Sequence, residues 1–330
     1  MPGGMKMSKP VVVVPGFARK DALAYLGEHV TIKQWQEPGV MPRDLLKEWL
    51  KDADALWSVN GVSVDADLVA NAPNLKVIAQ ASVGYDNINI ADLTAAKIPY
   101  GNTPEVLTET VAELAFTLVV TAQRRILENF EFVKSGQWAN GDAPIKGRDL
   151  SRTTLGIIGM GSIGVSISRR ARAFGMTVIY NNRHPRKDDN LYITTYKPLD
   201  ELLATSDVVL VMAPLTDETY HMINKEAFQK MKKDALFVNV GRGKIVDTDA
   251  LVWALNNGEI EYAALDVTDP EPLPADHPLL KTGKALVVPH IGSYTDRTRR
   301  DMAFLTADNI LLGLQGKPLK TCVNPEVNYK

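Results

Sequence analysis

Short β-branched runs bounded by turn residues alternate along the chain with stretches of helical period, the pattern of parallel βαβ units rather than of a sandwich. In the first third, Val11–Val14, Thr31–Trp35, Ala55–Val59 and Val77–Ala81 read as strands, with helices around Asp21–Leu26, Arg43–Leu50 and Asp65–Ala70. No phosphate-binding glycine turn follows these strands. Thr103 and Pro104 read as the N-cap and first residue of a long helix on which Val106, Leu107, Val111, Leu114, Leu118 and Val119 recur at helical spacing. That helix is expected to connect two lobes. A polar stretch from about Ser135 to Arg152 leads into a second series of strands: Thr154–Ile158, Thr177–Tyr180, Val208–Met212, Leu236–Val240, Ala263–Val267 and Ala285–Val288. A last helix, Asp296–Leu314, is expected to cross back and make the first lobe discontinuous. The predicted architecture is α/β with two lobes. A flavodoxin-like substrate domain takes 1–103 and 296–330, a Rossmann dinucleotide-binding domain takes 104–295, and the active site lies in the cleft between them.

Composition agrees with two ordinary globular domains: 330 residues exceed twice the ~150 of a typical one. The 37 Lys and Arg against 39 Asp and Glu leave a net charge of −2, which provides no chain-wide basic field for nucleic acid or an anionic membrane. Small molecules are the expected partners. Cys322 is the only cysteine, so neither an intrachain disulfide nor a multi-cysteine metal site can form, and a reducing cytoplasm is the expected setting. The apolar run Val11–Val14 is too short for a signal-peptide core or a membrane span. Residues 1–9, with Met5 and Met7 as alternative starts, are left out of the fold reasoning. The scatter of His29, His184, His221 and His277 argues against a metal site.

Chemistry enters at Gly159-Met160-Gly161-Ser162-Ile163-Gly164, which follows the strand Leu155–Ile158 and precedes a helical stretch from Val165 to Phe174. In that context the first glycine permits a tight turn, the second lets backbone approach a pyrophosphate, and the third lets helix pack on strand. The helix N-terminus supplies amide donors and a favourable dipole. An acid at the end of the next strand would hold the ribose 2′-hydroxyl of NAD, but Tyr180 runs instead into Asn181-Asn182-Arg183-His184-Pro185-Arg186. A guanidinium there suits a 2′-phosphate. NADP(H) is therefore the expected cofactor, with NAD(H) accepted at lower efficiency.

Three polar residues follow successive apolar runs, at the strand ends where doubly wound sheets bind ligands. Arg242 stands between Gly241 and Gly243, where flanking glycines leave its guanidinium uncrowded; Glu271 follows Asp266; His290 follows Val288-Pro289. An arginine fork suits a carboxylate and polarises a neighbouring carbonyl. A histidine can protonate the carbonyl oxygen as hydride reaches its carbon, and a carboxylate on the far ring nitrogen would favour the imidazolium and fix the ring. Together they describe reduction of a 2-keto acid. The Gly-x-Ser-x-Gly elbow of a serine hydrolase is missing.

In these motifs the chain resembles the D-isomer-specific 2-hydroxyacid dehydrogenase family over nearly its whole length. The stretches that carry the resemblance are Ser82–Asn87, Thr108–Glu113, Gly159–Gly164, Pro214–Thr219, Asn239–Gly243, Leu265–Val267, Glu271–Leu273 and Pro289–Ser293. Within the family it is most similar to the 2-ketogluconate (2-ketoaldonate) and glyoxylate/hydroxypyruvate reductase branch, which Cys322–Pro325 also resembles. The resemblance implies that Arg242 binds the substrate carboxylate and keto oxygen, that His290 donates the proton, and that Glu271 is its partner. It further implies that backbone of Val83 and Gly84 meets the carboxylate and that Asp266 holds the nicotinamide carboxamide. Thr110, Ala213, Pro214, Thr219, Val240, Gly241 and Gly292 are implied to line the cofactor site with Ser162, Ile163, Asn182 and Arg183.

A homodimer through the nucleotide domains is likewise implied, and Trp138 is then a candidate either for a substrate pocket or for interface packing. Glu271 argues against the formate dehydrogenase branch, which has a neutral amide there. The alternative from another class is a corepressor-like, dinucleotide-sensing scaffold of the same fold. Long disordered tails and an acid after the second strand would favour that scaffold, and neither is present in the sequence.

Overall fold

The computed structural model describes residues 9–188 and 194–327, so the segment with Met5 and Met7 lies outside the described residues. The chain forms two compact units, one running up to Leu107 and resuming at Thr295, the other spanning Thr108–Tyr294.

The first unit is a five-stranded parallel sheet built from β1 (Val11–Val14), β2 (Thr31–Gln34), β3 (Ala55–Ser58), β4 (Val77–Gln80) and β5 (Tyr100–Gly101). Their order, β2-β1-β3-β4-β5, is that of flavodoxin-like sheets. Helices α1 (Lys20–Gly27), α2 (Arg43–Leu50), α3 (Ala66–Ala70) and α4 (Ile90–Ala95) provide the crossovers. Alternate strand residues feed two cores. Val13, Leu56 and Ile78 pack with Leu46 and Leu50 of α2 on one face; Val12, Val14 and Val77 pack with Leu26 of α1 and Ile310 on the other. Burial on both faces explains why these strands read as unbroken apolar runs.

The second unit holds a seven-stranded parallel sheet. Helices α5 (Thr108–Gln123) and α6 (Ile126–Lys134) precede its first strand, β6 (Thr154–Ile158), which is followed by α7 (Ser162–Ala173), β7 (Thr177–Asn181), β8 (Thr195–Tyr196) and α8 (Leu199–Thr205). Then come β9 (Val208–Val211), α9 (Lys225–Lys230), β10 (Leu236–Asn239), α10 (Thr248–Asn257), β11 (Tyr262–Leu265), α11 (Pro278–Lys281) and β12 (Ala285–Val287). The order β12-β11-β10-β9-β6-β7-β8 reverses direction at β6, the topological switch point of a Rossmann sheet. Helix α12 (Asp296–Leu314) belongs to the first unit, where Ala303, Ala307 and Ile310 cover its sheet. Beyond α12, Asn324 bonds the Tyr100 amide (2.8 Å) and the Ile98 carbonyl (3.0 Å), giving Cys322–Pro325 a structural role along β5.

Two expectations are corrected. Thr103 and Pro104 do not open a helix: α5 starts at Thr108 and Glu105 takes a left-handed φ of 69°, while the buried Thr103 donates its amide to Ser82 O. Nor is α5 a bare connector, because Ala112, Ala115, Phe116 and Val119 lie in the second unit's core. The apolar period continues past α5, but Arg125 at φ 51° breaks it and starts α6.

Candidate active site

The glycine turn has the three roles expected of it, distributed in a recognisable way. A Cβ on Gly159 would stand 2.5 Å from the Ala213 nitrogen, and its φ of 102° excludes ordinary residues, so this glycine lets the β6 turn touch the backbone beyond β9. A Cβ on Gly164 would stand 2.8 Å from Gly159 O, so α7 sits directly on the turn. Among the described residues nothing lies within 4 Å of that position on Gly161. The second glycine thus faces space open among those residues, and none of their side chains caps the α7 amides behind it. That is the shape a pyrophosphate needs, so a dinucleotide fits these residues.

The loop after β7 grips the same turn. Asn182 accepts the Met160 amide through Oδ1 at 2.6 Å, and Arg186 donates to Met160 O at 2.9 Å while forking onto Asp188 at 2.7 and 2.6 Å. Arg186 therefore ties the loop down. Arg183 is the guanidinium that points outward, two-thirds exposed and 3.1 Å from Glu218. Glu218 sits in a turn after β9 knit by Thr219, whose hydroxyl donates to Pro214 O at 2.7 Å and accepts the Thr216 amide at 2.8 Å.

At β10 the two glycines flanking Arg242 have a further role. Gly241 and Gly243 do not merely leave Arg242 room: a Cβ on Gly243 would fall 1.9 Å from Thr268 O, and one on Gly241 2.9 Å from Ala213 O. They let the arginine loop close on its neighbours. Asn239, buried at the strand end and given no role of its own in the sequence reading, shapes that loop by accepting the Gly241 amide (3.0 Å) and donating to Arg242 O (2.9 Å).

His290 and Glu271 meet as predicted, with Nδ1 and Oε1 2.6 Å apart. Burial alone would raise the Glu271 carboxyl, but the hydrogen bond and charge of His290, the Thr268 amide and the charge of Arg242 together hold it below the ordinary value. Glu271 is an anion at neutral pH. His290 has a left-handed φ of 52°, and the loop carrying it is fixed by Asp266, whose oxygens accept the Ile291 amide (2.6 Å) and the Gly292 amide (2.9 Å). Burial pushes the Asp266 carboxyl up despite those two amides. Val111 lies 3.6 Å from a Cβ built on Gly292, which brings the first turn of α5, with Thr110, beside the histidine loop. The implied carboxamide role of Asp266 would use the second lone pair on each oxygen.

In the first unit, Asn102 bonds Val83 O (3.1 Å) and Ser82 Oγ bonds Gly84 O (2.7 Å). The Val83 and Gly84 amides make no hydrogen bond among the described residues. Val240 is buried in the core beneath the arginine loop.

A Rossmann sheet with an open glycine turn and an Arg, Glu and His at successive strand ends defines a dinucleotide-dependent oxidoreductase. Residues 116–292 match the model of the D-isomer specific 2-hydroxyacid dehydrogenase, NAD binding domain. The chain belongs to that family. It is 44% identical over 97% of its length to glyoxylate/hydroxypyruvate reductase B of Shigella dysenteriae, 99% of which is covered. Its fold is similar to the crystal structure of the NADPH-dependent glyoxylate/hydroxypyruvate reductase of Sinorhizobium meliloti in complex with NADP and malonate (TM-score 0.89, 30% identity, 98% of this chain and 99% of that one). It is also similar to that of a glyoxylate reductase from Paecilomyes thermophila (TM-score 0.87, 32% identity, 97% and 99%).

Proposed function

We propose that the protein is an NADPH-dependent reductase of small 2-keto acids, glyoxylate and hydroxypyruvate foremost and 2-ketogluconate as the larger candidate, giving the D-2-hydroxy acid. The observation that carries the reading is the 2.6 Å His290–Glu271 pair on a sheet whose glycine turn faces open space. NADPH, when bound, supplies the hydride that reaches C2. Arg242 holds the carboxylate and polarises the keto oxygen, with the Val83 and Gly84 amides also assigned to the carboxylate. Because Nδ1 of His290 is committed to Glu271, the proton goes to the keto oxygen from Nε2. Glu271, anionic at neutral pH, stabilises the imidazolium before that transfer. Hydride on carbon and proton on oxygen complete the reduction.

A corepressor-like scaffold would share the fold and the catalytic residues, so turnover rather than the pair separates the two readings. A homodimer belongs to the same proposal, supported by the exposed apolar side chains Ile126, Leu127, Phe130, Val133, Trp138 and Ile145 on and after α6. So does a cytoplasmic setting, supported by the lone cysteine; among the described residues no helix is long and apolar enough to cross a membrane. Initial rates with NADPH and NADH on glyoxylate, hydroxypyruvate and 2-keto-D-gluconate test the assignment. Turnover with NADPH exceeding that with NADH supports it, and no turnover in protein that binds dinucleotide refutes it.

A further inference from the structure

Arg183 and Glu218 leave the sheet on either side of the glycine turn. Arg183 lies two residues beyond β7 and Glu218 seven beyond β9, and these two strands flank β6. Their side chains nevertheless meet at 3.1 Å, so the ion pair spans the end of β6, where the turn begins. The neighbours of both are tied down: Asn182 and Arg186 bond Met160, and Glu218 sits within the hydrogen-bonded Thr216–Thr219 turn. Each is the other's only ion-pair partner among the described residues.

We propose that Glu218 is a cofactor-selectivity residue that competes with the 2′-phosphate of NADP(H) for the Arg183 guanidinium. The inference rests on the reading that Arg183 takes the 2′-phosphate. With Glu218 on the guanidinium, the arginine able to receive the phosphate is only a fraction of the population, and the apparent affinity falls by that fraction. NADH places a hydroxyl there and gains nothing from a released arginine. Glu218 therefore loosens NADPH selectively and moderates the preference that Arg183 creates. The glutamate then recaptures the guanidinium whenever the phosphate leaves, which favours release of NADP+.

The size of the effect follows from exposure. The two side chains are 67% and 72% exposed, and such surface pairs favour the closed form by about 1.4- to 5-fold, so the competent fraction is about 0.2–0.4. Removing the carboxylate should tighten NADPH by about two- to sixfold.

The test measures the dissociation constants of NADPH and NADH by fluorescence titration of the full-length protein, for wild type, Glu218→Gln, Arg183→Gln and the double variant, with melting curves confirming that each is folded. The expected result is tighter NADPH in Glu218→Gln, NADH changed less than twofold, and no effect of Glu218→Gln once Arg183 is glutamine. If Arg183→Gln leaves NADPH affinity unchanged, the 2′-phosphate reading itself fails. If Arg183→Gln weakens NADPH but Glu218→Gln does not tighten it, the competition alone is overturned. A gain that persists in the Arg183→Gln background, or that extends equally to NADH, also overturns it, because Glu218 would then act on the cofactor without the arginine.

Discussion

Exchanging Glu271 for glutamine keeps the shape of the side chain and removes its charge, so it isolates what the carboxylate does for His290. A hydrogen bond to a charged partner contributes roughly 1.5–3 kcal/mol. Both side chains are 40% exposed, and solvent screening reduces the figure to about 1–1.5 kcal/mol. At about 1.4 kcal/mol per tenfold, the rate of the reductive step should fall about 5- to 12-fold. Removing the donor itself, in His290→Gln, should cost about 10²- to 10⁴-fold.

The pH profile gives a sharper reading than the rate. Glu271 is held below the ordinary carboxylate value, so its ionised partnership is complete above that value and is lost only as pH falls through the depressed one. Near neutrality the anion is constant, so the Glu271 contribution to the rate should stay level there. Reduction should lose the Glu271 contribution only as pH falls through the depressed value, and Glu271→Gln, which has no carboxyl to protonate, should lack that acid-side decline. The assay is single-turnover reduction of glyoxylate with NADPH deuterated at the transferred position, so that an isotope effect shows hydride transfer to be limiting. An unchanged profile and rate in Glu271→Gln, with a full isotope effect, would refute the proposed pairing.

Arg242→Ala should lower kcat/KM for glyoxylate by at least about 10²-fold, the scale of removing a preorganised charge stabiliser, and leave NADPH affinity within a few-fold by titration. Gly161→Ala should keep its melting temperature, since nothing among the described residues lies within 4 Å of the new methyl, yet lose dinucleotide affinity. Gly159→Ala, with its Cβ 2.5 Å from the Ala213 nitrogen, should melt lower; equal stability of the two variants would contradict the assigned roles. Asp266→Asn should destabilise by about 1–3 kcal/mol, because an amide can accept at only one of two positions that both face backbone N–H groups, and thermal unfolding measures this.

Much of this was legible because both sheets are parallel and buried on both faces, so strands such as Val208–Val211 and Leu236–Asn239 stand out as apolar runs whose polar successors point to a site. The two-residue strands Tyr100–Gly101 and Thr195–Tyr196 are too short to carry a pattern. The false helix start at Thr103 obeyed local capping chemistry; the left-handed Glu105 that overrides it has no side-chain signature. Arg183 and Arg186 look alike in sequence. Only the positions of Asp188 and the Met160 carbonyl separate the arginine that fastens the loop from the one that faces outward. The purpose of Gly243 was hidden because Thr268, which it approaches, lies on a different loop.

Three polar side chains at the ends of buried strands do one job in common. Asn182 beyond β7 holds the glycine turn, Asn239 ending β10 holds the arginine loop, and Asp266 beyond β11 holds the histidine loop, each by accepting backbone amides. Sheet hydrogen bonds fix the strand ends, and these short side chains extend that rigidity a few residues into loops that lack regular structure. The residues assigned to chemistry, Arg242 and His290, are thereby held at their backbones, while their side chains stay partly exposed to meet a ligand. Arg183 differs: Asn182 beside it is bonded to Met160, but its guanidinium rests on Glu218, the partner that a 2′-phosphate would displace in the proposed competition. Cofactor selectivity is thus open to retuning through one exposed ion pair, whereas the backbone that aims His290 is set by the buried Asp266, whose loss would leave two amides unpaired.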